Sequence, residues 1–243
     1  MYSVLIAAGS GLLFGFGGWL LGWGLFWAFL FAPFVTLAVW IPLARSIGKR
    51  LQPMMARLQQ QLEQRMIDAA RELLRDMLRY GKWMPMLEGQ VYAQLGMIEY
   101  QTGDRDKAIA LLRRTPRRLA DAQLVLAVLQ YRAGDKQAAF DTLKLAGVAA
   151  KKHPMLHNAW AWLLHKEGRV DEAIAVLARF TAKVATDEAA KANLLRLQNG
   201  NKPTMKPFGL PWYALGLERP PADMGQLQQG RKGFRQPPMR RGG

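Results

Sequence analysis

The sequence predicts an all-α protein. Its parts are an N-terminal two-helix transmembrane hairpin, a long connecting helix, and a helix–turn–helix solenoid of about three repeats closed by a capping helix. Three observations carry this. No charged side chain occurs from Met1 to Ala44. Apolar residues recur at helical spacing through the segment that follows. A Gly-turn motif then returns at Gly103, Gly134 and Gly168.

Residues 1–44 form the hairpin. As one straight helix they would reach ~66 Å, about twice the ~30 Å hydrocarbon core, so two spans joined by a tight turn fit better. Trp19, Trp23 and Trp27 cluster at the midpoint beside Gly22 and Gly24, while Tyr2 and Trp40 lie near the outer ends. Trp and Tyr favour the membrane–water interface, so a hairpin sorts these rings into two belts. The second span runs from about residue 25 to 43, with Pro33 as a site for a kink. Gly11, Gly15, Gly18 and Gly22, preceded by Ala8, recur on one helix face. Small residues admit a close neighbour, either the second span or another protomer.

Residues 45–82 comprise a basic juxtamembrane stretch and an amphipathic connecting helix. Arg45, Lys49, Arg50 and Arg57 precede the first acid, Glu63, and are assigned to the membrane surface. The positive-inside rule then puts the bulk of the chain, and the N-terminus with it, in the cytoplasm. A cleaved signal peptide fits poorly, because there is no basic start and the apolar stretch is too long. From Leu51 to Tyr80 the spacing predicts one helix. Its stripe is Met55, Leu58, Leu62, Met66, Ala69, Leu73, Met77 and Tyr80, and Gly81 stops it. That stripe either packs on the following domain or pairs with a second copy as a coiled coil.

Residues 83–200 hold the repeats. The segments GDRDKA, GDKQAA and GRVDEA place Ala108, Ala139 and Ala173 five residues after their glycines, whose separations are 31 and 34. Tyr92 with Leu95-Gly96, then Leu126-Ala127 and Ala146, then His157 with Trp160-Ala161 stand at further repeated positions. This pattern resembles the tetratricopeptide repeat from about residue 85 to 185. Two departures are a short first repeat, where Pro116 arrives early, and a Leu-Gly pair that keeps its glycine only at Gly96. Asp187 is the expected N-cap of a closing helix that ends near Gly200.

The resemblance implies a groove lined by the first helix of each repeat. It assigns partner contacts to Met97, Tyr100, Gln101, Leu124, Tyr131, Arg132, Asn158, Trp162 and Lys166, with Gln90, Ala93, Val128 and His165 beside them. Ala93 and Met97 stand where some family members carry a carboxylate clamp, so that clamp is missing. The groove is aromatic with a basic edge, suited to a segment with apolar anchors and some acid.

Residues 201–243 read as a Pro/Gly/Arg-rich, largely disordered tail. Within it the apolar PFGLPWYALGL, Pro207 to Leu217, either folds back on the repeats or docks on a partner or the membrane.

Net charge is +16 and there is no cysteine, which excludes disulfides, zinc thiolates and cysteine nucleophiles. Beside a membrane anchor, the positive charge suits anionic headgroups better than nucleic acid. Neither a catalytic triad order nor a phosphate-binding Gly loop is present. His153 precedes Pro154 and suits a helix cap rather than a metal site. No enzyme activity, metal or cofactor is expected. The expectation is a protein-binding scaffold or adaptor at the cytoplasmic face of a bacterial inner membrane, in envelope assembly. Self-association through the glycine face or the connecting helix is a further expectation. The alternative is an RNA- or ribosome-associated membrane receptor, using the basic helix with Arg231, Lys232, Arg235, Arg240 and Arg241.

Overall fold

The apolar N-terminus folds as two antiparallel helices, α1 (Tyr2–Leu20) and α2 (Gly24–Glu63), with Gly22 between them at φ 82°. The computed structural model describes residues 2–20, 22, 24–84 and 86–221. Trp23, Pro85 and the five cationic residues of the tail named above lie outside the described residues, as does the side chain of Trp27. Among the described residues there are eleven α-helices, one 3-10 turn and no strand. The chain forms two compact units, Met1–Ala150 and Lys151–Gly243.

In the first unit, two helical stretches, Tyr2–Leu20 and Leu30–Glu63, are long and apolar enough to cross a membrane. The 19 residues of α1 span ~28 Å, close to the hydrocarbon thickness. A core helix of a soluble protein has similar composition but is buried. Here Leu5, Leu12, Leu13, Phe16, Phe26 and Phe34 are all exposed, some above 70%.

The buried face of α1 consists of Ser3, Ala7, Gly11 and Gly18. Gly15 is half-buried. Ala8 is exposed, and Gly22 belongs to the turn rather than to the packing face, which corrects both ends of the expected stripe. The neighbour of this face is α2. A Cβ on Gly11 would stand 2.1 Å from Thr36 Oγ1 and 2.8 Å from the Ala32 carbonyl oxygen. Thr36 donates its own hydroxyl to that carbonyl at 2.9 Å, so no polar group is orphaned at the crossing.

Helix α2 does not stop where the charges begin. It runs uninterrupted for 40 residues, with Pro33, Pro42 and Pro53 inside it, so the second apolar stretch and the start of the connecting helix are one rod. The expected single helix over Leu51–Tyr80 is instead two, α2 and α3 (Ile67–Leu78). Arg65 adopts a left-handed φ of 57° between them. The Met66 N–H donates to the Gln61 carbonyl and the Arg65 N–H to that of Leu62, a Schellman stop without its usual glycine. The reversal lets the stripe bury against its own continuation. Ile47, Leu51 and Leu58 share a core with Ala70, Leu74, Met77, Leu87, Val91, Leu95 and Ile98, whereas Met66 is left exposed.

Helix pairs follow: α4 (Leu87–Thr102) with α5 (Arg105–Leu112), and α6 (Ala120–Arg132) with α7 (Lys136–Ala149). Gly103 and Gly134 end the first helix of each pair at φ 92° and 91°, and Asp104 and Asp135 cap the second. Ala108 and Ala139 are fully buried at the crossings. A Cβ on Gly96 would stand 2.6 Å from Leu112, and one on Gly89 would stand 2.3 Å from Pro116, so the early proline fills a slot that Gly89 opens. Helix α3 is tied to α4 by Arg71, whose guanidinium donates to both Glu99 oxygens at 2.9 and 3.0 Å.

The second unit contains α8 (Pro154–Lys166), α9 (Val170–Thr181), α10 (Glu188–Gln198), a 3-10 turn at Lys206–Phe208 and α11 (Gly209–Ala214). Gly168 and Gly200 repeat the left-handed stop, and Asp187 caps α10 through the Ala190 N–H.

Two outcomes follow from this packing. Gly11→Leu should destabilise the chain in mild detergent by about 1–3 kcal/mol, the usual cost of overpacking, while Gly17→Leu, which has open space, should not. Thermal unfolding of both variants checks this. Glu99→Ala removes both charge-assisted hydrogen bonds between α3 and α4, leaves Arg71 with Asp68 and Thr102, and should cost about 1–3 kcal/mol by the same measurement.

Candidate functional site

The residues assigned to a partner divide between the two units. In the first unit, Leu124 and Val128 are core residues at 1% and 0% exposure, so neither is presented to a partner. Helix α6 is enclosed from Ala122 to Gln130, and the two glutamines in that stretch have partners within the unit. Gln123 donates to Thr115, and Thr142 donates to Gln130.

A surface remains where the C-terminal ends of α4 and α6 meet. Met97, Tyr100 and Tyr131 are half-buried there, and Gln101 and Arg132 are exposed. Burial pushes the Tyr100 phenol up, and the Arg132 guanidinium, hydrogen-bonded to it, pulls the other way without cancelling the rise. Tyr100 therefore stays protonated at neutral pH, beside a fixed positive charge. Gln90 is exposed and Ala93 half-buried on α4.

In the second unit the chain covers its own candidate site. Asn158 is fully buried and donates to the Pro154 carbonyl at 2.9 Å. Its oxygen accepts from Asn193 at 2.8 Å, and Asn193 exchanges two hydrogen bonds with the Thr204 backbone. Trp162 is 3% exposed, packed edge-to-face on Trp212 at 5.2 Å. The Lys166 and Lys202 ammonium groups each lie 5.2 Å from the Trp162 ring centre. Thus residues 201–218 fold back on α8 and α10, and Asn158 and Trp162 lie beneath them.

Glu218 fastens that segment. It accepts from the Trp212 indole at 2.8 Å and from Lys202 at 2.5 Å. Burial raises its carboxyl pKa, but the Lys202 ammonium, through its hydrogen bond and charge, and the Trp212 and Trp162 indoles together outweigh burial and hold it below the ordinary value. The apolar run up to Leu217 was visible in the sequence, whereas Lys202 and Glu218, which flank it, carried no local signal.

His153 and His157 serve the fold. His153 caps α8 by accepting from the Leu156 N–H, and His157 stacks on Phe180 at 4.5 Å. No group of three or more metal-capable side chains converges among the described residues.

In the first unit, Arg45, Lys49 and Arg50 are exposed on the first turns of α2 beyond Ala44. Arg57 is also exposed but lies ~18 Å further along the rod than Arg45. Sequence reasoning missed Lys82 and Trp83 in the loop after α3. The Tyr2 N–H donates to the Lys82 carbonyl at 2.7 Å, and the Ser3 hydroxyl donates to the Trp83 carbonyl. Tyr2 and Trp83 meet edge-to-face at 5.6 Å.

Because the folded Glu218 pKa is depressed, its contribution is present above the ordinary value of about 4.5 and is lost as pH falls through the lower folded value. Acid titration followed by tryptophan fluorescence and limited proteolysis of residues 201–218 should show docking weaken only below that range. Glu218→Gln should abolish this acid step and loosen the segment at neutral pH. An unchanged acid transition in the variant would rule out the assignment. No protein-family model matches this chain, and no curated protein matches it.

Proposed function

We propose that this chain is a membrane-anchored tetratricopeptide-type scaffold. It binds a partner protein through α4 and α6 of its first unit, at the cytoplasmic face of a bacterial inner membrane and in envelope assembly. The observation that carries the reading is the continuity of α2, which joins an exposed apolar hairpin directly to helix–turn–helix pairs. Repeated left-handed glycine stops, Asp caps and buried crossing alanines support the repeat resemblance. The basic turn of Arg45, Lys49 and Arg50 supports the cytoplasmic orientation.

The partner surface is Met97, Tyr100, Gln101, Tyr131 and Arg132. It combines two aromatic rings, a thioether and a cation, and it suits a segment with an apolar anchor next to a carboxylate. It is a binding surface, not a catalytic one. Asn158, Trp162 and Lys166 serve the segment 201–218 instead.

Crosslinking from membranes tests this. Tyr131→Ala combined with Arg132→Glu should remove the crosslinked partner by tenfold or more while leaving membrane insertion unchanged. Recovery of the same proteins at wild-type yield would overturn the assignment.

A further inference from the structure

The loop from Arg79 to Met84 is far in sequence from the apolar hairpin, yet it sits on the first turn of α1. Lys82 and Trp83 offer their carbonyls to the Tyr2 N–H and the Ser3 hydroxyl, and Trp83 packs on the Tyr2 ring. The path of the chain explains how it arrives there. Beyond Ala44, α2 rises ~28 Å to Glu63, α3 descends ~18 Å against it, and residues 79–83 cover what remains.

If α1 and α2 span a bilayer, the start of α1 marks one edge of the hydrocarbon, and the loop lies at that edge. Its composition suits the position. Trp83 is 37% exposed, as is Trp40, and Tyr2 is 47% exposed, which makes a belt of three rings. Arg79 and Lys82 are exposed on the same loop, and Arg45, Lys49 and Arg50 on α2 continue the positive charge. Two exposed acids accompany the loop, Asp76, 3.4 Å from Arg79, and Glu88, beside Gly81.

From this geometry we infer a second membrane contact, resting on the transmembrane reading above: the Arg79–Met84 loop docks on an anionic phospholipid surface. Trp83 seats at the interface, and Arg79 and Lys82 meet the headgroup phosphates. The bilayer is then gripped at the hairpin and again at the loop, which fixes the tilt of α3 and α4 over the membrane. A free soluble phosphate would satisfy the cations but not the three-ring belt, so the bilayer is the occupant.

The absence of native cysteine makes the test direct. Single cysteines at Lys82→Cys, Leu12→Cys and Gln64→Cys in the full chain carry an environment-sensitive fluorophore. Each is reconstituted into phosphatidylcholine vesicles with or without phosphatidylglycerol, containing shallow or deep nitroxide lipids. The expected result is strong quenching at position 82 by shallow nitroxides, severalfold above position 64 and greater with phosphatidylglycerol. Deep nitroxides should quench position 12. If position 12 is quenched but position 82 behaves like position 64, the loop contact is overturned while the hairpin stands. Equal quenching at 82 with and without phosphatidylglycerol, with Arg79 retained as the loop's remaining cation, overturns the anionic headgroup assignment. Failure of position 12 to quench overturns the transmembrane reading itself.

Discussion

The structure depends on α2 being one helix. A helix satisfies its own backbone hydrogen bonds, so it can pass from an apolar setting to an aqueous one without leaving groups unpaired at the boundary. Three prolines interrupt its donors, and the helix nonetheless runs from Gly24 to Glu63. Everything N-terminal packs on its first half, through Gly11 against Ala32 and Thr36. Everything next in sequence packs on its second half, through Ile47, Leu51 and Leu58. A flexible linker at residue 45 would have separated the apolar hairpin from the helix pairs; a continuous rod couples them.

That coupling has two further ties of different chemistry. Arg71 and Glu99 join α3 to α4 with a two-pronged ion pair, and Glu99 is buried enough that losing its partner would be expensive. Tyr2, Ser3, Lys82 and Trp83 join the start of α1 to the loop before α4 through backbone carbonyls and ring contact. The first tie depends on side-chain identity and the second mostly on geometry. Both pull the start of the helix pairs toward the apolar hairpin.

Local rules were readable where a single residue type has one physical use. Glycines at φ above 70° stop helices at Gly103, Gly134, Gly168 and Gly200, and Asp104 and Asp135 start the next helix after the first two, so the turns could be placed from residue spacing. The end of α2 could not. Arg65 fills a left-handed stop that glycine normally takes, because burying Leu58 against Ala70 and Leu74 outweighs a local conformational cost of ~1–2 kcal/mol. The same limit applies to the candidate site. The repeat resemblance assigned Leu124 and Val128 to a groove, but the depth at which α6 is enclosed is a tertiary fact.

The second unit shows why an apolar, aromatic helix face is ambiguous in sequence. Trp162 beside Lys166 is chemistry that an incoming segment with an aromatic anchor and a carboxylate would find favourable. The chain itself supplies such a segment, with Trp212 as the anchor and Glu218 as the carboxylate. Trp212 is fully buried, and Met205 and Leu215 beside it are nearly so, which gives the segment the burial expected of a core element. The polar chain from Asn158 through Asn193 to Thr204 adds direction, since both amide oxygens accept and both amide nitrogens donate along it. A competing partner would have to replace those matched hydrogen bonds as well as the ring contact. A surface already matched to its own chain selects strongly against outside ligands.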